Sequence, residues 1–271
     1  MATIVPTLTT FPGRPPGDGL CLFFFDARKE FYPSGIGSTL GYTNYKGPVA
    51  YNTTASAEIN GLQGAFLGIG FDVKGDFSTT NHGKPGSRIL DTSSTVVSSC
   101  MKPALSPNSI CLRSGELSSY NVYSVSPNLS TFGTATAPTL TADERYSNTP
   151  PLTLHEQVTS RDDITFKSVR VTLQNNGKRV KVEMKSPTDD KYYLYQEVDL
   201  KTGLGDRLVP FTNADVVRAG LAFSTSESVM NCEIKNFSVQ GDVVEYKKVN
   251  TYLQPTSTPK FSVYLSGGCT D

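Results

Sequence analysis

The stretch "ITFKSVRVTLQNNGKRVKVEMK" constrains the fold more than any other part of the chain. Val169, Val171 and Leu173 alternate with polar residues, Asn176-Gly177 supplies a turn signal, and Val180, Val182 and Met184 resume the alternation. A period of two broken by Asn-Gly encodes an antiparallel hairpin with one apolar face and one wet face. A helix, with its period of 3.6, cannot satisfy that pattern. "KYYLYQEVDL", "RAGLAFST" and "CEIKNFSVQG" read as further strands, and "GAFLGIGFD" as one whose glycines admit a neighbouring backbone. In "GDGLCLFFFD" the run from Leu20 to Phe25 is apolar on both alternating faces, which places it centrally in a sheet covered on both sides. Residues 83–163 are rich in Ser, Pro and Thr and read as long connections, with only "NSICLR" and "YNVYSV" strand-like. Helical periodicity is hard to find, whereas Gly (23) and Pro (17) punctuate the short β-branched and aromatic runs. The chain is therefore expected to be all-β, and its many short strands with long loops favour one two-sheet sandwich over separate small domains.

Charge and chemistry narrow the function. Lys plus Arg and Asp plus Glu stand at 25 each without a charge block, so neither nucleic acid nor an anionic membrane is an expected partner. No run approaches the length of a membrane span, and "MATIVPTLTTFPGRPP" lacks the basic head and long apolar core of a secretory signal. The five cysteines (Cys21, Cys100, Cys111, Cys232, Cys269) are odd in number and lack C-x-x-C spacing. This argues against a zinc site and a fully paired disulfide framework; free thiols are expected, with a single bridge left open. Catalytic patterns are incomplete. "EVDLKTG" offers Glu197 and Asp199 but no second glutamate, "HEQVT" lacks the second histidine of H-E-x-x-H, and His82 and His155 complete no Ser-His-Asp order. No enzyme activity is expected.

Four stretches carry a more specific signal: the x-D-G turn at Gly17-Asp18-Gly19, the glycine-rich "GIGSTLGY" (35–42), "GAFLGIGFDVKGDFSTTN" (64–81) and "VVRAGLAFSTSES" (216–228). In this order, and with "SPNSICLR" and "VVRAGLAFSTSESVMNCEIKNFSV", they resemble the L-type lectin-like domains over roughly residues 17–239. These are the legume-lectin relatives, and the likeness is nearer to the bacterial and viral members. The resemblance implies a concanavalin A-like jelly-roll sandwich of two antiparallel sheets over residues 1–241. It would be shortened at the N-terminus, where 17 residues precede Asp18, and followed by an extension over 242–271 that donates strands or oligomerises. Two strand-like pieces, Val243 to Tyr246 and Phe261 to Leu265, lie in that extension.

The same resemblance implies non-catalytic carbohydrate binding. Asp18 would accept sugar hydroxyls, Gly37 and Ser38 would lie at the loop that donates a backbone N–H, and Asp76 with Ser226, Glu227 and Ser228 would complete the glycan site. It also implies calcium as the cofactor, held by Asp72, the Lys74 carbonyl, Asp76 and Asn81, all oxygen donors suited to a hard cation. A glycan, and neighbouring subunits of an assembly, are the implied partners, at an extracellular or virion surface. The neighbouring transition-metal site of the family has no counterpart, since Gly70 and Gly86 stand where it has a glutamate and a histidine; His82, close by, reads as a solvated loop residue. Lys74 stands where the family stacks an aromatic on the sugar, and Phe77 would reach that place only from a shifted backbone. Read from the residues alone, Asp18, Asp72 and Asp76 are also adequate turn residues. The alternative function is accordingly a virion or appendage structural protein that uses the sandwich for packing.

Overall fold

The structure is a computed structural model, and it describes residues 8–10, 16–32, 34–35, 37–48, 56–84, 105–133, 146, 148–157, 166–174, 179–186, 188–199, 216–225, 230–232, 234, 236–241, 246–249, 252–255 and 261–266. The strands in chain order are β1 (Leu8–Thr10), β2 (Gly19–Asp26), β3 (Tyr45–Pro48), β4 (Ser56–Ile59), β5 (Ala65–Asp72), β6 (Ser109–Ser114), β7 (Val122–Val125), β8 (His155–Gln157) and β9 (Val169–Gln174). They continue with β10 (Arg179–Lys185), β11 (Tyr192–Asp199), β12 (Val217–Ser224), β13 (Met230–Asn231), β14 (Asn236–Gly241), β15 (Tyr246–Val249), β16 (Tyr252–Pro255) and β17 (Phe261–Ser266). Short 3-10 turns join some of them, and no α-helix occurs among the described residues.

Two five-stranded antiparallel sheets form an all-β sandwich. The first has the order β12-β2-β5-β6-β7 and the second β11-β10-β9-β17-β14. The hairpin legible in the sequence is β9–β10, in register from Gln174↔Arg179 to Val169↔Met184. Its six alternating apolar residues are all buried, while the Asn176-Gly177 turn lies outside the described residues. These side chains meet Leu20, Leu22 and Phe24 of β2, Leu67, Ile69 and Phe71 of β5, and Ile110 and Leu112 of β6 in one core. The sandwich is thus held by the face-to-face burial of two alternating patterns, at roughly 1.5–3 kcal/mol for each large apolar side chain fully removed from water.

β2 is buried along its whole length, because the outer face of the first sheet is covered as well. There Cys21, Phe23 and Phe25 join Leu40, Tyr42, Leu62, Phe77 and Tyr120 in a second cluster supplied by the connecting segments. Glycines on β5 make room for this cover. A Cβ on Gly68 would lie 2.6 Å from the Tyr42 ring, and one on Gly70 2.3 Å from the Phe77 ring. A glutamate at position 70 is sterically impossible while Phe77 keeps that place.

Arg113 on β6 is fully buried in the same face. Its guanidinium donates to the carbonyls of Phe77 (Nε, 2.9 Å; Nη2, 2.6 Å), Thr79 (2.9 Å) and Tyr120 (2.8 Å), and lies 5.1 Å from the Phe77 ring centroid. One side chain therefore ties two surface loops to the sheet.

The C-terminal strand β17 lies inside the second sheet. It pairs with β14 from Asn236↔Ser266 to Gly241↔Phe261 and with β9 from Leu173↔Phe261 to Arg170↔Tyr264. β15 and β16 pair with each other, as do β3 and β4, and β1 bridges β13 and, in parallel, β8. The span 83–163, read as connections with two strands, contains β6 and β7 and in addition β8. Cys21 and Cys111 are free buried thiols and Cys232 is half-buried; Cys100 and Cys269 lie outside the described residues.

Candidate functional site

Antiparallel pairing brings the start of β2, the end of β5, the start of β6 and the end of β12 to one edge of the first sheet. Gly19 faces both Ser224 and Asp72, and Asp72 faces Ser109. The turn before β2 is fixed on both sides: the Asp18 N–H donates to Ser224 O (3.1 Å), and its carbonyl accepts from Val73 (3.0 Å) and Lys74 (3.3 Å). Gly19 has φ +141°, and a Cβ there would lie 2.2 Å from Phe71 O, so no other residue suits this position. The Asp18 side chain is 1% exposed, with Oδ1 3.8 Å from the ammonium of Lys74.

The glycine-rich loop folds onto the same edge. Gly37–Thr39 form one 3-10 turn, and the Gly37 N–H donates to Ser224 Oγ at 2.7 Å. Ser38 Oγ accepts from Lys84 Nζ at 2.8 Å and lies 2.9 Å from His82 Nδ1. An ammonium can only donate, so the Ser38 proton is available to His82 Nδ1. Burial, then the nearby Lys84 charge, hold His82 below its ordinary pKa and thus neutral. His82 is exposed but engaged, stacked on Tyr45 with ring centroids 5.4 Å apart. Its reading as a solvated loop residue agrees with this exposure, and the ring and Ser38 contacts are what that reading lacks. Lys84 is 3% exposed, and burial, followed by the charge of Arg113, pushes its pKa down to about 8. Nothing in "HGKPG" distinguishes this lysine from a surface one.

The loop after β5 closes on itself. Asp72 is fully buried and accepts from the N–H groups of Gly75 (Oδ1, 2.8 Å) and Ser78 (Oδ2, 3.0 Å). Asp76 Oδ1 accepts from Asn81 Nδ2 at 3.0 Å, and its Oδ2 is 3.5 Å from Lys74 Nζ. The Lys74 ammonium therefore stands between two carboxylates. A calcium ion held by Asp72, Asp76, Asn81 and the Lys74 carbonyl would replace these donors rather than fill a vacant cage. Phe77 is fully buried against Gly70, so it offers no ring for stacking on a ligand. Ser226, Glu227 and Ser228 lie outside the described residues.

Burial raises the Asp72 carboxyl to about 7, against the pull of the three N–H donors from Ser78, Gly75 and Phe77. A carboxyl with a raised native pKa keeps its proton where the unfolded chain has lost it. Stability therefore falls as pH climbs from about 4 to about 7, by up to about 4 kcal/mol, and is flat above that. Denaturant melts of the wild type and Asp72→Asn between pH 4 and 8 should show this slope in the wild type alone. Calcium bound at the loop would hold Asp72 ionised and flatten the slope. Identical profiles for the two proteins would exclude Asp72 as its source.

Comparison with protein-family models, with curated proteins and with solved structures gives no match for the chain.

Proposed function

We propose that the chain is a non-catalytic, lectin-like carbohydrate-binding protein built on a concanavalin A-like jelly roll, serving glycan or cell-surface recognition. What supports this reading is the convergence at one sheet edge of segments far apart in sequence: the Asp18 turn, the Gly37–Ser38 loop, the Asp72–Asn81 loop and the end of β12. A preorganised carboxylate flanked by hydroxyl and ammonium groups suits the adjacent hydroxyls of a sugar. Lys74 shields Asp18, but the ammonium is one-third exposed and 3.8 Å away. A sugar hydroxyl that bonds Asp18 would have to move this ammonium aside, against the roughly 1.5–3 kcal/mol gained from a hydrogen bond to a charged group. Calcium is the ion we assign to Asp72, the Lys74 carbonyl, Asp76 and Asn81 on the chemistry of their oxygens.

One observation favours a second reading, a structural protein in which the same loops only pack. The Lys74 ammonium already pairs with both Asp18 and Asp76, so the two carboxylates have a counter-charge from within the loop. The two readings separate on Asp18→Asn. If the site binds glycan, glycan-array and calorimetric affinity should weaken by roughly 1.5–3 kcal/mol, about 10- to 150-fold. The melting temperature should barely move, because the turn is held by backbone groups that the substitution leaves in place. Glycan binding unchanged by the substitution would exclude Asp18 from the site.

A further inference from the structure

A cleft of about 620 Å³ opens at the other end of the first sheet, lined among others by Tyr32, Asn44, Asn60, Gln63, Glu116 and Tyr120. Gly64 immediately precedes β5 and Glu116 follows β6, whereas the Asp18 edge is where β5 ends and β6 begins. The length of an eight-residue strand, about 25 Å, thus separates the two places. We propose that this cleft is a second, independent binding site for a short neutral oligosaccharide.

The lining is constructed for such a ligand. Glu116 Oε2 accepts from the Gly64 N–H at 2.6 Å, which fixes the carboxylate and leaves Oε1 to receive hydroxyls. Asn44 Oδ1 accepts from the Gly61 N–H at 2.6 Å, which presents its NH₂ as the donor. Tyr120 is buried, its hydroxyl donates to Leu62 O at 2.9 Å, and its ring stands edge-on to Tyr42. It is held at φ +53°, next to Ser119 at the same angle, a conformation that an aromatic residue adopts at a cost. Asn60 and Gln63 are exposed amides with no hydrogen bond to the described residues. Tyr32 is 58% exposed, whereas its neighbour Phe31 stacks on Phe23; the tyrosine ring is therefore left for a ligand.

Chemistry selects the ligand class. An aromatic wall takes the apolar face of a pyranose, amides and a fixed carboxylate take its hydroxyls, and the volume falls in the ordinary range for small-molecule sites. No lysine or arginine is among the described residues that line the cleft, so a phosphate, sulfate or uronic acid would meet Glu116 with no counter-charge from that lining. The site does not depend on Asp18.

The chain has no tryptophan, so Tyr32→Trp creates a single fluorescent reporter on the proposed stacking wall. Titration of the full-length variant with maltotriose, cellotriose, mannotriose or chitotriose should give a saturable emission shift with at least one of them. Sialyllactose should give none at the same concentration. Adding Glu116→Gln, which can still accept the Gly64 N–H, should weaken the response about tenfold or more, and adding Asp18→Asn should leave it unchanged. No response to any of the four neutral sugars, an equal response to sialyllactose, or loss of the response in the Asp18 variant would each overturn the proposal. The last result would leave glycan binding at the Asp18 edge standing.

Discussion

Replacing Arg113 by methionine is expected to destabilise the fold by roughly 3–6 kcal/mol, with a fall in Tm of about 10–20 °C. Burying a guanidinium is itself costly, so its removal would look favourable if only desolvation counted. The carbonyls of Phe77, Thr79 and Tyr120 decide the sign, because they remain buried when their donor is gone. Each orphaned acceptor costs about 1–3 kcal/mol, and methionine fills the volume without supplying a proton. Arg113→Lys should fall between the two, since a lysine offers one compact donor group where the guanidinium reaches three carbonyls in a fixed fork. The loss should also reach the site, for Phe77 and Thr79 flank Ser78, whose N–H holds Asp72. Thermal and denaturant melts of both variants test this; a methionine variant as stable as the wild type would show that the loops do not depend on the guanidinium.

Removing the chain after Gly241 should abolish the cooperative fold. β17 lies between β14 and β9, so its loss leaves two unpaired edges inside one sheet. The effect is on the order of a whole domain's stability, about 5–15 kcal/mol, and the truncated protein should aggregate. A less drastic substitution, Val263→Pro, deletes an N–H where β17 pairs on one side with Val239 and on the other with Val171. It should cost about 3 kcal/mol or more. A soluble truncation with wild-type unfolding behaviour would mean that the second sheet closes without β17.

What could be read from the sequence follows the physics of each element. β2, β5, β9, β10 and β12 announce themselves because their apolar patterns are long and local, and in β9 and β10 the alternation also names the buried face. β1, β8 and β13 are short and exist through partners distant in the chain: β8 is "HEQ", paired with β1 about 150 positions away; β3, "YKGP", pairs with the next strand, β4, but carries Gly and Pro in place of an apolar pattern. Of the candidate site, the turns at Asp18 and at Gly37–Ser38 are legible, where glycines mark them. The site is not legible at Lys84, Tyr45 or Arg113. Burial of a charge depends on which loops fold over it, and no local pattern records that. Gly70 shows the limit from the other side: the residue reads as a missing glutamate, whereas its physical reason is the ring of Phe77.

The place of β17 also has a consequence in time. Val171 must wait for Val263, roughly ninety positions later, before the β9 edge is covered. At a synthesis rate of about 5–20 residues per second, a nascent chain carries the completed β9–β10–β11 meander with one edge bare for about 3–12 seconds before β17 is made. Hairpins form in microseconds, so the meander is ready long before its neighbour leaves the ribosome. During that interval the bare edge can meet another nascent chain as readily as its own tail, and chaperone occupancy or ribosome spacing, rather than native stability, would then govern how much folded protein a cell obtains.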